Sequence, residues 1–103
     1  MRNELTSFLH LLKRSGHYRF GADYLSAANA HKIALVLTSD DLSEYTKTKV
    51  NNFTLAHNIT QFDVPANIMS MLYPGKTIKV LIVTNHESAH KIANLMKEGN
   101  GNE

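Results

Sequence analysis

The sequence predicts an α/β fold, a central sheet with helices packed on both faces. Three observations carry it. Short apolar runs of strand length alternate with segments of helical period along the whole chain. Two of those runs, "ALVLTS" (34–39) and "IKVLIVT" (78–84), are apolar without alternation, as in strands covered on both faces. The first segment sets Leu5, Phe8, Leu9 and Leu12 at i, i+3, i+4 and i+7, one apolar helix face. The chain has 103 residues, enough for one domain and one core, assigned to 1–97.

The elements follow in order. Lys13 and Arg14 suit the last turn of the first helix, where cations complement the dipole, and Gly16 terminates it. Tyr18 to Phe20 is a short strand. Gly21 to about His31 reads as a second, alanine-rich helix, and Ala34 to Ser39 as a buried strand. "DDLSEYTKTKVNNFTLAHN" reads as a helix, with Asp41 and Glu44 at capping-box spacing and Asp40 adding charge at the positive end. Its inward face would hold Thr46, Val50, Phe53 and His57. Ile59 to Phe62 is a second buried strand. Pro65 starts a short helix carrying Ile68, Met69 and Leu72, ended by Pro74 and Gly75. Ile78 to Thr84 is the strongest strand signal. His86 to Lys97 closes the fold, with Ala89, Ile92, Ala93 and Met96 inward. The tail "EGNGNE" (98–103) is expected to be disordered. The expected order is α-β-α-β-α-β-α-β-α. Ligands in such sheets gather at strand-to-helix loops on one edge, here around Gly21, Asp40 and Asn85, which become neighbours if the strands run the same way.

Composition narrows the function classes. Apolar residues make up 43% and charged residues 19%, ordinary globular values. No apolar run is long enough to span a bilayer, and the N-terminal segment is not a signal peptide. There is no cysteine, hence no disulfide framework or thiolate chemistry, which fits a cytoplasmic protein. The net charge of +2 and pI near 9.0 permit nucleic-acid binding without announcing it. A monomer is the default at this size.

"HESAH" (86–90) matches H-E-x-x-H, in which two histidines one turn apart bind zinc beside a glutamate base. The match sits in the first turn of a helix whose apolar stripe lies elsewhere, and no third ligand follows at the extended spacing. Two surface histidines, with Glu87 complementing the helix N-terminus, explain it better. His10, His17, His31 and His57 form no spacing pattern. Gly21 stands alone rather than in a phosphate-cradling loop, no serine occupies a nucleophile elbow, and a cap explains Asp40 and Asp41. No catalytic constellation is found, and neither enzyme activity, cofactor nor metal is expected. Basic and hydrogen-bonding residues (Lys13, Arg14, His17, Arg19, His31, Lys32, Asn85 and His86) flank the presumed loop edge.

The run "LLKRSGHYRFGADYL … IALVLTSDDLSEYTKTKV … PGKTIKVLIVTNHESAHKI" resembles the kink-turn RNA-binding ribosomal protein superfamily, L-seven-Ae-like, in its small bacterial YlxQ-type branch. The resemblance covers about Leu5 to Met96. It rests on the basic-glycine turn (Lys13, Arg14, Gly16), on Gly21, on the strand running into an acidic cap, and on "VLIVT". It implies an α/β/α sandwich with a four-stranded mixed sheet and no enzyme activity. It implies binding of structured RNA, a kink-turn or a related ribosomal element, by a ribosome- or ribonucleoprotein-associated accessory factor. The contacts it implies are the N-terminus of the second helix (Gly21, Ala22, Asp23, Tyr24, Ser26) and the loop after the last strand (Thr84, Asn85, His86, Glu87). Lys13, Arg14, Arg19 and Lys32 would lie by phosphates. Where strong binders carry Asn-Glu and a lysine, this chain has Ala22, Asp23 and Tyr24, then Ser26 and Ala27. The alternative expectation is a protein-interaction module on the same fold that has lost kink-turn binding.

Overall fold

The structure, a computed structural model, describes residues 2–101, with side chains for residues 4–97. Four helices and four strands follow in the order α1 (Arg2–Ser15), β1 (Tyr18–Phe20), β2 (Leu35–Ser39), α2 (Glu44–Ala56), β3 (Thr60–Val64), α3 (Ala66–Leu72), β4 (Val80–Val83) and α4 (His86–Gly101). The sheet order is β1-β4-β2-β3. The β2–β3 pair is parallel, and β4 runs antiparallel to both of its neighbours. The fold is therefore α/β with a four-stranded mixed sheet. Among the described residues no helix is long and apolar enough to cross a membrane.

The two central strands, β2 and β4, are buried along their whole length, because both of their faces are covered. Leu35, Leu37, Leu81 and Val83 face the layer formed by α1, α3 and α4. There they pack with Leu5, Leu9, Leu12, Ile68, Leu72 and Ile92. Val36 and Ile82 face the other way, onto Val50 and Phe53 of α2 and onto Ile33, Tyr24 and Leu25. Each fully buried aliphatic side chain contributes about 1.5–3 kcal/mol by leaving water. These two apolar layers hold the three-layer arrangement together. α1 ends as its sequence indicates. Gly16 takes φ +78, and its N–H donates to the Leu12 carbonyl at 3.3 Å.

Five elements differ from the sequence expectation. The segment from Gly21 to Lys32 is not an α-helix. It forms two short 3-10 turns, Ala22–Tyr24 and Ala30–Lys32, broken where Leu25 goes extended at ψ 91. Its bonds span three residues each, Leu25 N to Ala22 O and Asn29 N to Ser26 O among them, and the Asn29 side chain takes the Tyr24 carbonyl. The segment has no i, i+3, i+4, i+7 stripe, and its asparagine, Asn29, competes for a backbone partner. In α2, Ser43 is the N-cap, accepting from Thr46 N–H at 3.3 Å, so Asp40 and Asp41 precede the helix. Its buried residues are Val50 and Thr54, with Phe53 half-buried and His57 exposed beyond its end. β3 is an edge strand, exposed at Thr60 and Asp63, with only Val64 buried. Pro65 caps α3 from outside. α4 runs on to Gly101 past Lys97; of the expected tail, Asn102 and Glu103 lie outside the described residues.

Candidate nucleic-acid interface

The direction of β4 decides which loops meet. β1, β2 and β3 point one way, so Gly21, Asp40 and Pro65 follow strands at one edge of the sheet. β4 points the other way. It brings Lys76 to Lys79 to that edge and carries Thr84 to Glu87 to the opposite one. Backbone bonds mark both edges. Gly21 N–H donates to Val80 O and Ser39 N–H to Lys79 O at the first. Thr84 N–H donates to His17 O and Ala34 N–H to Val83 O at the second. The expectation that the loops at Gly21 and Asn85 are neighbours is thus corrected. So is the picture of one surface joining Gly21–Ser26 to Thr84–Glu87.

At the first edge Gly21 adopts φ 87 and ψ 149, a conformation left almost wholly to glycine. A Cβ there would meet nothing within 4 Å, so backbone conformation and not crowding requires the glycine. Ala22 and Tyr24 turn into the second apolar layer and Ser26 is half-buried; of this group Asp23 alone is exposed. A groove of about 500 Å³ opens beside Gly21, floored by Val80 and walled by Leu42 and Ser43. Its cation, Lys79, is bound to Asp41 at 2.7 Å. That contact and a hydrogen bond from Ser39 Oγ hold the Asp41 carboxyl below its ordinary range. Asp40 accepts from Ala66 N–H at 3.1 Å, capping α3, and Asp63 accepts from Thr38. The exposed acids Asp23, Asp40, Asp41 and Asp63 outweigh Lys76 and Lys79 here.

The opposite edge has the reverse character. The last turn of α1, the second 3-10 turn, the end of α2 and the start of α4 all converge on it. They bring Arg14, His17, His31, Lys32, His57, His86 and His90, every one exposed, against the single acid Glu87. Asn85 accepts from Ser88 N–H at 2.8 Å and so caps α4. Arg19 projects from the middle of the edge strand β1, exposed, its guanidinium on the Tyr18 carbonyl at 2.7 Å. Lys13 is turned away. Its ammonium donates to Leu72 O at 2.6 Å and sits 5.0 Å from the centre of the Tyr73 ring, so it ties α1 to α3. Tyr73 itself is buried against Tyr18 and Phe20, and burial pushes its phenol far above the ordinary range.

The thirteen residues that the resemblance implies therefore divide. Gly21, Ala22, Asp23 and Tyr24 stand at the acidic edge. Arg14, Lys32, Thr84, Asn85, His86 and Glu87 stand at the basic edge. Arg19 and Ser26 lie between, and Lys13 is occupied internally. His17, His31 and His57 were not expected to act together. They come from three separate connections, so no spacing in the chain relates them. The signal that could have found them is that each shortly precedes a strand, combined with strands that run parallel. His86 and His90 are one turn apart on α4. Among the described residues no group of three histidines, aspartates or glutamates is placed to hold a metal ion.

No family model matches the chain, and no curated protein matches it in sequence. A solved structure of a protein of unknown function from Bacillus halodurans is similar in fold, with a TM-score of 0.81. The match covers 90% of this chain and 96% of that one at 21% identity. At that identity the likeness speaks to the fold alone.

Proposed function

We propose that the protein binds structured RNA through the basic edge of its sheet, as an accessory factor of ribosome or ribonucleoprotein assembly. The observation that carries this reading is the separation of charge by the topology. Cations and imidazoles from four connections face outward at one sheet edge, and the exposed aspartates gather at the other. Phosphate contacts supply most of the affinity of such surfaces and need no base readout. The resemblance to kink-turn-binding proteins supports RNA as the polyanion. The inward turn of Ala22 and Tyr24 moves the expected contact away from the Gly21 turn.

The test is binding to a kink-turn RNA and to a straight duplex of the same length across a salt series. Arg14→Ala with Lys32→Ala together should flatten the dependence of log K on log salt by about 2 and weaken binding to both RNAs alike. Binding untouched by this pair but lost on Asp23→Ala would move the site to the Gly21 edge. Absence of binding to either RNA at physiological salt would leave the fold as a protein-interaction module.

A further inference from the structure

Five of the six histidines, His17, His31, His57, His86 and His90, lie exposed at or beside one sheet edge, although they are scattered through the sequence. Histidine is the side chain whose ordinary ionisation falls between pH 5 and 8. Fixed charge at this edge is small. α1 brings Lys13, already committed to Leu72 O, and Arg14; β1 brings Arg19; the second 3-10 turn brings Lys32; α4 brings Glu87 and Lys91. α2 adds no charge in its last turn. The imidazoles thus outnumber the fixed cations free to meet a phosphate.

We propose that this edge is a pH-graded clamp for RNA phosphates, in which the histidines gathered by the mixed sheet become the larger part of the binding charge in acid. The inference rests on the RNA-binding reading above and adds to it what governs affinity. The sign is fixed by charge. Each imidazole that takes up a proton gains attraction for phosphate, so affinity rises as pH falls through the histidine range. By linkage, binding RNA draws protons onto the protein. Glu87 is the one acid that offsets them, and its side chain is exposed.

The experiment measures binding of the full chain to the kink-turn RNA and the straight duplex at pH 8.0 and 5.5, each over a salt series. Affinity at physiological salt should rise by about tenfold or more at pH 5.5, and the salt slope should steepen by about 3 as protonated imidazoles displace counterions. Replacing His17, His31, His57 and His86 together by glutamine should collapse the ratio between the two pH values toward one. These four positions are exposed, so the fold should survive, and circular dichroism of the variant checks that it does. RNA binding that is the same at both pH values overturns the clamp and leaves the RNA-binding reading standing. A pH ratio that persists in the quadruple variant, and still persists when His90→Gln is added to it, places the titrating group elsewhere and also overturns it. No binding at either pH overturns both.

Discussion

Gly21 shows how one residue can fix the course of a chain. Its φ of 87 ends β1 and turns the backbone off the sheet edge, while its N–H still donates to Val80 O at 3.0 Å. Gly21→Ala should lower the free energy of unfolding by about 1–3 kcal/mol, the usual cost of a side chain forced into this region. Urea titration measures it. An unchanged midpoint would mean that the turn relaxes to another conformation. Asp41 gives a second expectation at this scale. Lys79 first, and Ser39 after it, hold its carboxyl below the ordinary value of 3.8. A carboxyl depressed in the folded state adds stability that is complete above that value and is lost as pH falls through the lowered one. Asp41→Asn should therefore lower stability at neutral pH, where the wild-type carboxylate is fully charged, and flatten the loss of stability as pH falls below about 4. Acid titrations followed by circular dichroism separate the two proteins.

At the scale of the element, α2 starts at Ser43, whose hydroxyl accepts from Thr46 N–H. Ser43→Ala should cost about 1 kcal/mol, read as a lower thermal midpoint. Asp41→Ala would leave that cap in place. Strong periodicity made α1, β2, β4 and α4 legible in the sequence. Leu5, Leu9 and Leu12 share one helix face whatever lies beyond them, and a run such as "VLIV" has no other home than a covered strand. The segment after Gly21 was not legible as it stands, since its alanines favour helix while the Asn29 side chain donates locally to the Tyr24 carbonyl. The acidic pair before α2 fits a cap by spacing. Its true partners, Ala66 N–H and Lys79, are distant in the chain. The candidate site was legible only in pieces: Arg14, Lys32 and His86 stood out as polar or basic residues near loops, but their union depends on the direction of β4, which no local pattern reveals.

Across the whole molecule, the mixed sheet sorts charge. Three parallel strands and one reversed strand bring the imidazoles to one rim and the aspartates to the other, so a chain with a net charge of only +2 presents a dipolar surface. The same strand order has a consequence for how the protein comes into being. β4, the last of the four strands in sequence, lies between β1 and β2 and among the described residues is the sole sheet partner of β1. Before β4 is added, the preceding segments can assemble little more than α1, α3 and the parallel β2–α2–β3 unit, with one edge of β2 still unpaired. Closing the sheet waits for Val80–Val83 to pair with β2 on one side and with the still unpaired β1 on the other, a non-local step. Until β4 has been added, the chain has no complete core and no assembled basic rim, so the rim and the tertiary structure form together.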